Sequence, residues 1–240
     1  MSGHSKWATI HRKKGENDAA RGKVFQKLAK EIYVAAKNGP DPSSNASLRM
    51  VIEKARGANM PKDNIEKAIQ KASGAGANEN YESIRYEGYG PNGVAVMVDC
   101  LTDNKNRTAS DVRNCFNKRG GNLGTSGSVS YMFERRGIIE IPNDYNEEDM
   151  MMASLDAGAQ DFVNCDSTYE ITTLAEDFIK VKKALADSGV KEFIRSEVTF
   201  IPTNTVTVDD EEKKEKILAL LEQLDELDDV QDVYCNLKLD

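Results

Sequence analysis

The chain has 240 residues, 39% hydrophobic and 30% charged, with a formal net charge of −8. That length suits two or three globular domains with ample core, and no window approaches the roughly 18 uninterrupted apolar residues of a membrane span. The polar N-terminus lacks the apolar stretch of a signal peptide, and Cys100, Cys115, Cys165 and Cys235 lack the paired spacing of a zinc site or disulfide framework, which reads as reduced thiols in a cytoplasmic protein.

The first quarter reads as helical. Between Asn17 and Lys37, Ala20, Val24, Leu28, Ile32 and Ala35 recur at three- and four-residue spacing, widened by Phe25 and Ala29, until "NGPDP" ends the run. "SSNASLRMVIEKARGAN" predicts a second helix capped by Ser43 or Ser44. "MPKDNIEKAIQKASG" predicts a third, with Pro61 at its first turn and Gly74 as its stop. Three short helices on short connections imply a small antiparallel bundle.

After "GAGANEN" the pattern changes. "SIRYEGYG", a turn at "PN" and Gly93, and the nearly continuous apolar run "VAVMVDCL" predict a hairpin whose second strand is central in its sheet. A helix follows at about Arg107–Arg119 and stops at Gly120-Gly121. "SVSYMF" and "GIIEIP" predict two strands around a turn at "ERRG". Then come a helix (about 146–157), strands at "DFVNC" and "YEITT", a helix (about 174–187) and the strand "EVTFIP". A closing helix turns Ile217, Leu220, Leu221, Leu224 and Leu227 inward before the strand "VQDVYCNL". Strand pairs alternating with single helices predict an α+β fold, the helical bundle followed by two two-layer ferredoxin-like α/β domains.

Charge divides the chain more sharply than hydropathy does. Residues 1–75 hold 15 Lys/Arg against 7 Asp/Glu, a net of +8, whereas residues 76–240 hold 17 against 33, a net of −16. A basic front on an acidic body points to a polyanion-binding face. Taking about 100° per residue, Lys23, Lys27, Lys30 and Lys37 share one roughly 80° arc of the first helix, opposite Val24, Leu28, Ile32 and Ala35. Such a row, with Arg21, can track a phosphate backbone through counterion release. Ahead of it, "GHSKWATIHRKK" gathers His4, Lys6, Trp7, His11, Arg12, Lys13 and Lys14 without an apolar face. Trp7 and the Arg12 guanidinium suit stacking on unpaired bases, which favours RNA; Trp7 can equally pin the tail to the bundle. Asn104, Lys105, Asn106 and Arg107 form a second polar cluster at a helix N-terminus, either an anion site or a capped loop.

No constellation for catalysis emerges. "GENDAARGKV" lacks the glycine spacing and Ser/Thr of a phosphate loop, and "GGNLGTSG" follows a helix rather than a strand, so it reads as a stop and turn. His4 and His11 have no neighbouring cysteine, and "DDEE", "NEEDM" and "DELDD" sit where helix dipoles favour acids. The expectation is a protein without enzymatic activity, cofactor or metal.

Long stretches of the chain closely resemble the YebC/PmpR family: "GHSKWATIHRKK", "RGKVFQKLAKEI", "NMPKDNIEKAI", "YEGYGPNGVAVMVDCLTDNKNRT" and "GGNLGTSGSVSYMF", with "FERRGIIEI" and "DDVQDVY" also in place. The resemblance implies three domains, the third inserted into the second: a basic helical domain at 1–77, a discontinuous α/β domain at 78–132 plus 204–240, and an inserted ferredoxin-like domain at 133–203. It further implies a nucleic-acid-binding regulator of gene expression. Members are described as DNA-binding transcriptional regulators and as ribosome-associated factors that help translation through proline-rich stretches, so DNA, ribosomal RNA and the ribosome are the expected partners. Because the chain begins with the family motif, a cytoplasmic bacterial member is expected. The contrasting expectation is a protein-interaction module whose acidic α/β domains bind a basic partner without nucleic acid.

Overall fold

The structure, a computed structural model, describes residues 18–74 and 79–238, with side chains from Arg21 onward. Helices α1 (Asp18–Ala36), α2 (Ala46–Gly57) and α3 (Lys62–Ser73) come first. The hairpin β1 (Glu82–Tyr89) and β2 (Ala95–Thr102), helix α4 (Lys105–Lys118) and the short β3 (Asn122–Leu123) follow. Then come β4 (Phe133–Pro142), α5 (Glu147–Asp156), β5 (Ala159–Asn164), β6 (Thr168–Leu174), α6 (Phe178–Asp187) and β7 (Arg195–Pro202). Helix α7 (Glu211–Asp225) and β8 (Val230–Cys235) close the chain. The fold is α+β, with helices first and two antiparallel four-stranded sheets after them.

The chain divides into two compact units, one spanning residues 132–204 and the other joining the residues before them to those from Thr205 onward. The helical bundle and the first sheet therefore belong to one unit. In the bundle, Leu28, Ile32, Tyr33, Ala35 and Ala36 of α1 pack with Leu48, Ile52 and Ala55 of α2 and Ile65, Ala68 and Ala72 of α3. Val24, read as inward, is 40% exposed one turn ahead of this core. The cap of α2 is Asn45 rather than Ser43 or Ser44. Its Oδ1 accepts from the Leu48 amide at 3.0 Å, and its side-chain nitrogen donates to the carbonyls of Ala35 and Gly39 at 2.8 Å each. One buried amide thus caps the start of α2 and satisfies a carbonyl at the end of α1, which neither serine does.

The first sheet runs β3-β1-β2-β8, so β2 is central as its apolar run predicts. Val94, Val96, Val98 and Cys100 face Val112, Cys115 and Phe116 of α4 and Ile217, Leu220, Leu221 and Leu224 of α7. In the 132–204 unit the sheet runs β5-β6-β4-β7 under α5 and α6, which is the βαββαβ ferredoxin-like order. Ile139, Ile141, Ile171, Phe178, Val181 and Leu185 fill it.

Of the two strands expected around "ERRG" only one forms: β4 runs through "ERRG" from Phe133, and residues 130–132 of "SVSYMF" make a single 3-10 turn. Gly137 does not turn the chain: a Cβ there would lie 2.3 Å from Thr173 Oγ1 and 2.8 Å from the Phe178 ring. The glycine admits the helix to the sheet, which is the other reason for glycine inside a strand.

Candidate nucleic-acid interface

The lysine row of α1 meets the last turn of α7 and the loop after it. Lys23 Nζ donates to the Glu226 carbonyl at 3.2 Å. Lys27 Nζ donates to the Asp225 carbonyl at 2.7 Å and to its Oδ1 at 2.9 Å, and Lys30 Nζ to the Asp228 carbonyl at 2.8 Å and Asp229 Oδ1 at 3.2 Å. The final carbonyls of a helix have no intrahelical partner and carry the negative end of its dipole, so ammonium groups from a neighbouring helix cap them. The side chains of Lys27 and Lys30 are therefore mostly buried against the loop rather than open to solvent. Lys37, at the end of the row, donates to Glu79 and to Asn80 Oδ1 and lies 5.2 Å from the Tyr33 ring centre.

Beside the row lies a cleft of about 320 Å³ lined by Lys23, Lys27, Lys30, Tyr33, Lys71 and Tyr81 among others. Glu79 organises one wall, accepting from Lys71 Nζ at 2.8 Å and from the Tyr81 hydroxyl at 3.0 Å. Burial, with Glu79 adding to it, pushes the Tyr81 phenol up to about 12.

The polar cluster at 104–107 is built as a cap. Asn104 Oδ1 accepts from the Arg107 amide at 3.1 Å, and Lys105 pairs with Glu82. The Arg107 guanidinium reaches Asp229 Oδ2 at 2.7 Å and Asp103 Oδ1 at 2.8 Å, while Asn106 is exposed. The two clusters that the sequence separates by more than 70 positions converge on Asp229. Its Oδ2 accepts from Arg107, from Thr108 Oγ1 at 2.9 Å and from Thr102 Oγ1 at 3.2 Å, and its Oδ1 from Lys30. Burial opposes the ionised carboxylate, but the bonds from Arg107, Thr108 and Lys30 outweigh it and hold its pKa below the usual value.

Sequence reasoning missed Asp229 because it placed "DELDD" where a helix dipole favours acids, whereas the stretch begins at the C-terminal end of α7, where the dipole disfavours them. The available signal was its position directly before the buried start of β8. It also missed Glu87, a buried carboxylate in β1 that accepts from the amides of Gly127, Val129 and Ser130 at 2.8–2.9 Å and so fixes the glycine-rich loop. His4, Lys6, Trp7, His11, Arg12, Lys13 and Lys14 lie outside the described residues. Arg21 is exposed at the start of α1, and Arg49, Arg56, Lys62 and Lys67 are exposed on α2 and α3.

All four cysteines are free thiols, with Cys100 pushed up to about 12 and Cys235 to about 11 by burial, far from the thiolate a nucleophile needs. Among the described residues, no helix is long and apolar enough to cross a membrane.

A helical bundle whose lysines cap the end of α7 within one unit, and a ferredoxin-like unit formed by residues 132–204, define a multi-domain α+β protein of one recognisable build. Residues 5–75 match the model of the TACO1/YebC protein N-terminal domain, and residues 81–237 match that of the TACO1/YebC second and third domain. The chain belongs to the TACO1/YebC family. It is 55% identical over 224 residues to a "Probable transcriptional regulatory protein" of Finegoldia magna, covering 92% of each chain. A protein of the same name from Geobacillus thermodenitrificans is 54% identical over 241 residues, covering 99% of this chain and 97% of that one. The crystal structure of a conserved hypothetical protein from Aquifex aeolicus superposes with a TM-score of 0.81 at 47% identity, covering 93% of this chain and 92% of that one.

Proposed function

We propose that the chain is a non-enzymatic, cytoplasmic regulator of gene expression that binds nucleic acid through its basic N-terminal part. The curated relatives carry the name of transcriptional regulators, which supports the regulatory role. The observation that carries the nucleic-acid reading is the charge division, +8 over residues 1–75 against −16 over the rest. In this reading the chain has three domains, 1–77, 78–132 with 204–240, and 133–203. The first presents Arg21, Arg49, Arg56, Lys62 and Lys67 with the tail that holds Trp7 and Arg12. Lys23, Lys27 and Lys30 reach phosphate by exchanging the carbonyl and carboxylate oxygens of the 225–229 loop for phosphate oxygens. RNA is favoured over promoter DNA because Trp7 and Arg12 suit unpaired bases, and the ribosome is then the natural target.

Ultraviolet crosslinking in cells, followed by sequencing of the bound nucleic acid, tests this. Recovered ribosomal RNA supports the translational form, and promoter fragments support the transcriptional one. Recovery of neither would show that the basic N-terminal part has another purpose.

A further inference from the structure

Helix α5 carries large apolar side chains outward as well as inward. Met150 and Ala157 point into the core, yet Met152 is 60% exposed, Leu155 46% and Met151 36%. On α6, Phe178, Val181 and Leu185 are buried while Ile179 is 56% exposed. Eight large hydrophobic side chains are exposed among the described residues, and four of them are on this helix pair. Gly158, just past Leu155, has its Cβ position 3.4 Å from Asp177, two residues before Ile179, so Leu155 and Ile179 lie toward the same end of the pair. Isolated exposed apolar side chains need no explanation, but a cluster of flexible thioethers with a leucine and an isoleucine resembles surfaces that accept a partner's apolar face.

Charge says which partner. Residues 132–204 hold 7 Lys/Arg against 15 Asp/Glu, a net of −8, which is the net charge of the whole chain. Glu147, Glu148, Asp149 and Asp156 are exposed along α5 itself. With about 100° per residue, Glu148 falls inside the outward arc of Met151, Leu155 and Met152, and Asp149 and Asp156 border it. Helix α6 instead exposes Lys180 and Lys183, so the acid density is on the α5 side.

We propose that the surface formed by Met151, Met152, Leu155 and Ile179 is a docking site for a basic amphipathic helix of a partner protein. Its apolar face lies on the methionines and its Lys or Arg side chains run along α5. Such a helix-in-groove contact reads apolar anchors at helical spacing, and the surrounding acids select cationic partners and speed their encounter. The patch is small, which makes the complex a transient one. This role is additional to nucleic-acid binding and does not depend on it.

The test uses the full chain and two fluorescent synthetic helices with the same leucine face, one bearing lysines on its other face and one bearing glutamates. Anisotropy titrations should show saturable binding of the lysine helix alone, weakening with salt. Met152→Asp with Leu155→Asp should weaken it by roughly tenfold or more, as for anchor residues at other interfaces. Met152→Ser with Leu155→Ser, which adds no charge, should weaken it in the same direction. Thermal melts confirm that these exposed changes leave the fold intact, and amide chemical-shift changes on the labelled chain should centre on α5 and α6. Equal binding of the glutamate helix, undiminished binding by both double variants, or shifts centred elsewhere would overturn the proposal. Sedimentation showing a peptide-free dimer that the double variants dissolve would overturn it too, making a second copy of the chain the occupant.

Discussion

Asp229 shows how much one side chain can settle. A carboxylate that is mostly buried is costly unless several donors hold it, and here Lys30, Arg107, Thr102 and Thr108 do so from three different parts of the chain. Because its folded pKa lies below the unfolded value, the stability it contributes is present above the unfolded value near 3.8 and is lost as pH falls through the folded one. Asp229→Asn keeps the shape and removes the charge. It should cost about 1–3 kcal/mol at neutral pH, since the ammonium and guanidinium beside it lose their counter-ion. Urea melts across pH should then show a shallower loss of stability below about pH 4 in the variant than in the parent. An identical acid limb in the two proteins would mean that the carboxylate is not held ionised by these donors. Only its place directly before β8 separates Asp229 from Asp225 and Asp228 in the local sequence; its partners lie 121 to 199 positions away, so its role appears only when β8 is placed beside β2.

At the scale of elements, hydrophobic period was enough to place the helices of the bundle, the central β2 and the closing α7, because each has a long apolar stripe or run. What it could not supply was the partner of each polar stripe. The lysine arc of α1 is amphipathic in either setting, over solvent or over the end of α7, and the difference lies in tertiary packing. Lys27→Gln with Lys30→Gln should therefore lower stability by about 1–3 kcal/mol, through lost ion pairs and uncapped carbonyls, rather than leave it unchanged as a solvated row would. A thermal melt checks this, and a transition that does not move would return the row to solvent. Gly137 carries the same lesson for strands. Read locally, a glycine after two arginines is a turn; in place, it is the only residue that lets Phe178 and Thr173 approach β4. Gly137→Ala should cost about 1–3 kcal/mol by overpacking, measured on the full chain by denaturant midpoint. A change of a few tenths would show that Phe178 can move aside.

For the whole molecule, the decisive pattern is where the charge sits relative to the chain's division. The 132–204 unit enters and leaves through neighbouring strands: Phe133 of β4 is paired with Pro202 of β7, and the Thr203 amide donates to the Met132 carbonyl at 2.8 Å. Its two ends are thus adjacent, and the fold of the remainder has its own core in the β2, α4 and α7 side chains. Alternation of strands and helices in the sequence revealed too many elements for one sheet; the insertion came only from the family resemblance, because it is a property of pairing that local pattern does not carry and that appears when β8 returns to β2. Joining Tyr131 to Thr205 through a short glycine-serine linker should therefore leave a folded protein with a cooperative melt. That protein would lose 7 Lys/Arg and 15 Asp/Glu, so its net charge rises from −8 to zero while the bundle and tail are untouched. If the basic N-terminal part binds nucleic acid, removing the repulsive charge should tighten binding most at low salt, where charges remain unscreened over about 10–30 Å. The slope of log affinity against log salt should fall little, because the phosphate contacts counted by released counterions are the same. Tighter binding with a preserved slope assigns the contacts to the unit that carries α1–α3. Loss of binding in a protein that still melts cooperatively would place them on the inserted unit instead, against its charge.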